Sequence, residues 1–236
     1  MQDIKARFIE SIPRTQTVTS FRFSPGQKVD FIPGQFLQVI FDESNISNRE
    51  LNKYLSFSSS PAKEYIEVTK RLSESQFSQR LKSLNPGDEI LLKAPLGSCV
   101  FKEEYKKICF LIGGIGITPV ISILEYLTEN KSETDAVLFY SNRTEEEIAF
   151  RKELDHWQSV NDKIKIVYAL TDSQPKDKRC VFGRIDEGLI KSRMSDLGER
   201  IVFIFGPPVM VGAMNKLCLD MGCSKDNIKT ENFIGY

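Results

Sequence analysis

The stretch Ile108-Cys109-Phe110-Leu111-Ile112-Gly113-Gly114-Ile115-Gly116-Ile117-Thr118-Pro119 decides how the chain is read. Its leading residues are all apolar, which suits a strand buried on both faces, as in a parallel sheet. Three glycines follow, and then Val120, Ile121, Leu124 and Leu127 recur at helical spacing. The pattern predicts strand, glycine turn and helix, with Thr118 as the helix cap and Pro119 in its first turn. Glycine lets backbone pass close to a ligand, and the free N–H groups of a helix start attract anions. A phosphate or pyrophosphate is the natural occupant. The turn is not the phosphate loop of nucleoside triphosphatases, because no lysine follows the glycines until Lys131. The usual dinucleotide fingerprint wants a third glycine where Pro119 stands, so this is not that turn either.

Downstream of this stretch, apolar runs alternate with helical patterns. Strands are expected at 136–140, 164–170 and 201–205, and helices at 144–157, 185–194 and 208–221. Such alternation implies a parallel sheet with helices on both faces and ligands at the carboxyl ends of its strands. Three loops fall at those ends: Tyr140-Ser141-Asn142-Arg143-Thr144, Thr171-Asp172, and Phe205-Gly206-Pro207-Pro208-Val209-Met210.

Upstream, short alternating segments at 6–9, 18–23, 36–41, 65–69 and 89–92 are separated by Ser24-Pro25-Gly26, Pro33-Gly34 and Asn85-Pro86-Gly87-Asp88. Closely spaced short strands argue an antiparallel barrel or sandwich. A short helix is expected from Gln76 to Leu84 and a loop from Asp42 to Asn52. The string Lys53-Tyr54-Leu55-Ser56-Phe57-Ser58-Ser59-Ser60-Pro61 sets a cation and several hydroxyls along one strand, a pattern able to hold a phosphate and a polar ring edge. The expected fold is therefore two domains, a β-barrel over 1–102 and an α/β parallel-sheet domain over 103–236, joined by the charged connector near Phe101 to Lys106.

Lys+Arg and Asp+Glu both number 32 in the 236 residues, so no bulk field favours nucleic acid or an anionic membrane. No signal-peptide core opens the chain and no apolar run approaches a spanning helix, so the expectation is a cytoplasmic protein without a membrane segment. The five cysteines are odd in number and irregular in spacing, which implies no disulfide framework. Cys218 and Cys223 match the opening of an iron–sulfur signature, but Asp226 stands where the next cysteine belongs. His156 is the lone histidine, so no metal site is expected.

Taken together, Gly-Gly-x-Gly-x-Thr-Pro at 113–119, Lys53-Tyr54-Leu55-Ser56, Pro33-Gly34-Gln35-Phe36, Ser75-Gln76-Phe77-Ser78, Pro95-Leu96-Gly97, Phe205-Gly206-Pro207-Pro208-Val209-Met210 and Glu231-Asn232-Phe233 resemble, in order, the motifs of the ferredoxin-NADP reductase superfamily. The resemblance implies that the barrel holds a flavin, FAD being usual, through Lys53, Tyr54, Leu55, Ser56, Phe57 and Ser58, then Val68, Thr69 and Lys70, and further through Ser78 and Gly97. It implies that Gly113, Gly114, Gly116, Thr118 and Pro119 cradle the pyrophosphate of NAD(P)H. Asn142, Arg143 and Asp172 would meet its ribose and adenine, and Phe205, Gly206, Pro207 and Met210 its nicotinamide half. Ser56, at the flavin's reactive edge, and Glu231 are the catalytic candidates, with Phe233 or Tyr236 over the ring face. Four departures stand out: Lys53 for the family's forked arginine, Leu55 for its tyrosine, Ser75 for the glycine of its third motif, and Phe205 for a cysteine.

The implied chemistry is hydride transfer from NAD(P)H to flavin, with electrons passed to a separate ferredoxin, flavodoxin or oxygenase component. A reductase of free flavin is the second reading. A flavin-binding electron-transfer or sensory subunit that never meets NADH is the third. Asp172 predicts NADH over NADPH, because a carboxylate accepts from a ribose hydroxyl and repels a 2′-phosphate.

Overall fold

A computed structural model describes residues 1–233 of the chain. It divides into two compact units: Met1–Phe101 together with Thr118–Tyr126, and Lys102–Ile117 together with the residues from Leu127 onward.

The first unit is built on strands β1 (Gln2–Pro13), β2 (Val18–Ser24), β3 (Phe36–Ile40), β4 (Asn52–Ser56), β5 (Ile66–Arg71) and β6 (Glu89–Leu96), with helix α1 (Gln76–Lys82) between the last two. They form an antiparallel sheet in the order β4-β3-β6-β1-β2-β5. Alternation sends Ile4, Ala6 and Phe8 of β1 inward against Phe21, Phe23, Leu37, Val39, Val68 and Leu92, all buried. A bulge between Phe8 and Glu10 bends β1. The two edge strands meet at a single bridge, Phe57 to Val68, which nearly closes the sheet into a barrel. Each fully buried phenylalanine here contributes about 2–3 kcal/mol relative to exposure.

The second unit carries β7 (Lys107–Gly113), β8 (Asp135–Asn142), helix α3 (Arg151–Val160), β9 (Ile164–Leu170), β10 (Cys180–Phe182), α4 (Glu187–Arg193), β11 (Ile201–Gly206), α5 (Pro208–Asp220) and β12 (Ile228–Asn232); α2 (Thr118–Glu129) links β7 to β8. All neighbours are parallel, in the order β10-β9-β8-β7-β11-β12. The antiparallel and parallel halves are those the sequence predicts. From β7 the chain steps outward through β8 and β9, and from β11 it steps the other way to β12. The reversal falls between β7 and β11, the place where open α/β sheets hold ligands. At the opposite, N-terminal end, Arg200 is 4% exposed, donates to Asp135 and Asp196 at 2.8 Å each, and reaches the Ile108 carbonyl.

Two local readings are corrected and two strands are added. A continuous helix over 144–157 does not form: a short 3₁₀ turn spans Glu145–Glu147, Phe150 is left-handed at φ 60°, and α3 starts at Arg151. Ile148, Ala149 and Phe150 are all buried, so burial of this apolar trio overrides helical propensity. The helix after the glycine turn begins as a 3₁₀ turn at Gly114–Ile117, so Thr118 lies inside the helical run and does not cap it. The edge strands β10, an apolar run of three residues, and β12, largely polar, are not among the strands expected from the sequence.

Candidate functional site

The barrel's seam is the first place where residues converge. Among the described residues β4 pairs only with β3 and β5 only with β2, and beyond the Phe57–Val68 bridge no ladder joins them. Backbone N–H and C=O groups on both edges therefore face a slit. Strand alternation puts Lys53 and Leu55 on the face of Phe57, and Lys70 on the face of Ile66 and Val68. Leu55 packs against the barrel core. Among the described residues no carboxylate pairs with Lys53 or Lys70, while burial, and then the Lys53 ammonium, push the Lys70 pKa down. Two cations beside unpaired strand edges suit a flavin carrying a pyrophosphate, so these residues fit FAD.

Other barrel residues singled out in the sequence have occupations of their own. Tyr54 projects to the opposite face, 62% exposed and edge-on to Phe36. Phe57 is fully buried and stacked on Phe31 at 3.8 Å, and Val68 is core, which leaves their backbones for a ligand. The hydroxyls of Ser58 and Thr69 share a hydrogen bond of 2.7 Å, and Thr69 shares another with Ser20. Buried Glu67 beside them accepts from Arg14 and Arg22. Ser78 is fully buried, its hydroxyl bonded to those of Ser73 and Ser75. Gly97 has φ 92°, and a Cβ there would stand 2.6 Å from the Phe36 ring. Ser56 is buried at the end of β4.

The second place is the carboxyl end of the parallel sheet. Register sets Gly113 beside Ser141, Asn142 beside Leu170, and Gly206 beside Asn232. The glycines of the turn serve the protein's own packing. A Cβ on Gly116 would meet the Phe205 carbonyl oxygen at 2.5 Å, and one on Gly113 would collide with Met210 and approach Pro207. The turn thus nests against the β11–α5 loop, drawing the glycines together with Phe205, Gly206, Pro207 and Met210.

Asn142, at the end of β8, is 5% exposed, and neither atom of its amide finds a partner among the described residues. A buried amide left unpaired costs about 1–3 kcal/mol, so its donor and acceptor fit a polar ligand such as a dinucleotide. From the neighbouring turn, Thr171 N–H donates to the Asn142 carbonyl and Asp172 N–H to that of Arg143, both at 3.0 Å. The Thr171 hydroxyl donates to the Asp172 carboxylate at 2.7 Å.

The cations around Asp172 are largely engaged. Arg179 holds Asp177 at 2.6 Å and Asp155 at 2.9 Å, and keeps the Asp177 carboxyl down at about 2. Lys176 pairs with Glu146. Glu145 was missed by the sequence reading; its carboxylate accepts the N–H groups of Lys176 and Asp177 and buckles this loop to the end of β8. Its only signal was three acids after a strand end, which also reads as a helix start. Arg143 and Lys178 stay exposed.

Glu231 lies beside Phe205 in the register of β11 and β12, and burial pushes its carboxyl up to about 7. Phe205 is fully buried, with Phe203 at 5.8 Å and Phe233 at 6.5 Å. Tyr236 lies outside the described residues. Among the described residues no His, Cys, Asp and Glu cluster is arranged to hold a metal, and no helix is long and apolar enough to cross a membrane.

Comparison with known proteins gives the family of each half. Residues 5–101 match the family model described as an oxidoreductase FAD-binding domain, and residues 110–216 that of an oxidoreductase NAD-binding domain. The chain is 29% identical over 215 residues to NADH-cytochrome b5 reductase 1 of Dictyostelium discoideum, covering 89% of this chain and 75% of that one. It is 27% identical over 235 residues to the glycine betaine monooxygenase reductase subunit of Chromohalobacter salexigens, covering 96% and 63%. Over such relatives the chain spans from 39% to 76% of their length. The fold is shared with a ferredoxin NADP+ reductase from Neisseria gonorrhoeae solved with bound FAD and NADP, at TM-score 0.82 and 21% identity over 98% of this chain and 99% of that one.

Proposed function

For a chain that belongs to the ferredoxin-NADP reductase superfamily and carries its FAD-binding and NAD-binding domains, we propose a reductase that draws on NADH in preference to NADPH and delivers electrons to a separate protein. The chemistry the cofactors supply is hydride transfer from nicotinamide to flavin. The chain's own residues bind and orient. Lys53, Lys70 and the edges of β4 and β5 hold the flavin, with Ser56 beside its ring. The glycine turn and the Asn142 amide receive the dinucleotide, and Glu231 holds a proton near neutral pH, ready for exchange with the reacting region.

The observation that carries the donor preference is the setting of Asp172. Backbone hydrogen bonds fix its position, and Lys176 and Arg179 already answer to carboxylates, so a 2′-phosphate arriving there meets a fixed negative charge. The relatives named as reductase subunits and cytochrome b5 reductases support a protein acceptor with a one-electron centre. The test is the ratio of kcat/KM for NADH and NADPH in wild type and in Asp172→Ser. The expectation is a wild type favouring NADH at least tenfold and a substitution that narrows the gap. A wild type favouring NADPH, or an unmoved ratio, removes Asp172 from this role.

Free-flavin reduction is the second reading, and what favours it is the weaker grip implied by Leu55, which packs on the core and offers no ring to stack. Flavin that dissociates on every turnover distinguishes it.

A further inference from the structure

We propose that Cys218 and Cys223 are a modification site, at which a hydroperoxide converts two thiols to one reversible disulfide that closes the C-terminal turn of α5. The site uses none of the residues described for the two places above and does not rest on the flavin reading. It arises from the way the helix stops. Past Asp220 the backbone turns left-handed at Gly222, with φ 89°. The Gly222 N–H donates to the Leu219 carbonyl at 3.0 Å, and the Cys223 N–H to the Cys218 carbonyl at 2.9 Å. That pair of bonds is the Schellman ending, which folds the residue after the glycine back onto the last full turn of the helix. Apolar side chains often meet at these two positions; here the two are thiols.

The surroundings give the two sulfurs different roles. Both cysteines are free and belong to the apolar cluster that also holds Cys109, Leu197 and Met214. Cys218 is 0% exposed and Cys223 6%. The Cys218 S–H donates to the Cys223 sulfur, and the Cys223 S–H donates to the Leu197 carbonyl at 3.7 Å. Cys223 is thus the thiol that solvent reaches, and a neighbouring donor is in place for its thiolate. Cys218 stands behind it, within reach once Cys223 has reacted.

The reaction runs in two steps. The Cys223 thiolate attacks the hydroperoxide: an S–O bond forms, the O–O bond breaks, and the alcohol leaves with the Cys223 proton, so that Cys223 becomes a sulfenic acid. The Cys218 sulfur then attacks the Cys223 sulfur: the S–S bond forms, the S–O bond breaks, and hydroxide leaves as water with the Cys218 proton. Two thiols lose two electrons, and the hydroperoxide is reduced to alcohol and water. Burial pushes the Cys218 thiol up to about 12 and raises that of Cys223 as well, so thiolate is scarce at neutral pH and the first step quickens as pH rises. A small-molecule dithiol reverses the modification by exchange.

The experiment treats the purified full chain with hydrogen peroxide, folded and in urea, then denatures it, alkylates it with iodoacetamide and digests it with trypsin. Cleavage after Lys216 and Lys225 releases 217–225, which carries both cysteines and no other. From folded protein this peptide is expected to be lighter by two hydrogens and closed to iodoacetamide, and to regain two alkylation sites after dithiothreitol. The rate should rise about tenfold from pH 7 to pH 8, as it does for thiols that titrate above that range. The oxidised protein should have a higher Tm than the reduced one, because the bond fits the turn that is already there. Cys218→Ser should leave Cys223 as a sulfenic acid that dimedone traps, and Cys223→Ser should leave Cys218 open to alkylation. A peptide that keeps two alkyl groups while the half-exposed Cys99 is oxidised overturns the site. A disulfide to any other cysteine, one that forms only in urea, or a lowered Tm of the oxidised protein overturns it as well.

Discussion

Replacing Gly116 by alanine puts the smallest possible side chain where the glycine turn meets the β11–α5 loop. The new Cβ would lie 2.5 Å from the Phe205 carbonyl oxygen, 2.7 Å from its carbonyl carbon and 2.9 Å from the Gly206 nitrogen. All three are backbone atoms, so no rotamer change relieves the clash. Normal contact requires the turn and the loop to part by about 0.7–1 Å, and forcing an extra carbon into packed surroundings costs about 1–3 kcal/mol. The upper part of that range applies, because Gly116 is buried in the 3₁₀ turn and the atoms it meets belong to the buried strand β11. For a chain of this size that is a Tm lower by about 5–10 °C. The same displacement moves the first turn of the helical run and the Gly206–Met210 loop together, so the KM for the nicotinamide donor should rise while the flavin Kd stays put. Urea denaturation of the apoprotein and steady-state kinetics of the reconstituted enzyme read the two effects. A variant with unchanged midpoint and unchanged donor KM refutes the packing role given to this glycine.

Other consequences follow from buried charge. Glu231, with its carboxyl raised to about 7 by burial, favours the protonated form when folded, so its contribution to stability falls as pH rises from the ordinary carboxylate range to about 7 and is flat above. Glu231→Gln should accordingly gain stability over wild type across that window, reaching about 2–3 kcal/mol at pH 8, and should flatten any step near pH 7 in the rate of flavin reduction. A gain that is the same at pH 5 and pH 8 contradicts the burial. Arg200→Ala leaves Asp135 and Asp196 without their shared guanidinium, and about 3 kcal/mol of stability should be lost with the spectrum of bound flavin unaltered; a loss of flavin instead would show that this end of the sheet communicates with the barrel.

The parallel and antiparallel halves were legible because each writes its period into the sequence: the continuous run Ile108 to Ile112 for a doubly covered strand, and the alternation of β1 and β2 for a half-covered one. β12 was not legible, since Ile228-Lys229-Thr230-Glu231-Asn232 at a sheet edge needs no apolar face. Motif reading named strands and turns that the fold gathers at two places, and the structure adds contacts among those residues that the motifs do not contain. Gly116 leaves room for the Phe205 carbonyl, a contact its motif does not announce. The hydroxyls of Ser58 and Thr69 bond each other, which local pattern does not show. Glu145 carried no motif at all, because a carboxylate that ties two distant N–H groups depends on which loops the fold brings together. What a residue touches across the sheet is set by register and crossover, which a local pattern does not contain.

We propose that one chain holds a flavin in its barrel and offers it a nicotinamide donor. The visible absorption spectrum of the purified protein, loaded with FAD and recorded under anaerobic conditions before and after one equivalent of NADH, tests that claim directly. The expected result is a bound-flavin spectrum that bleaches on mixing and returns when an electron acceptor is admitted. A protein that retains no FAD at micromolar concentration, or a bound flavin that NADH and NADPH both leave oxidised, contradicts it.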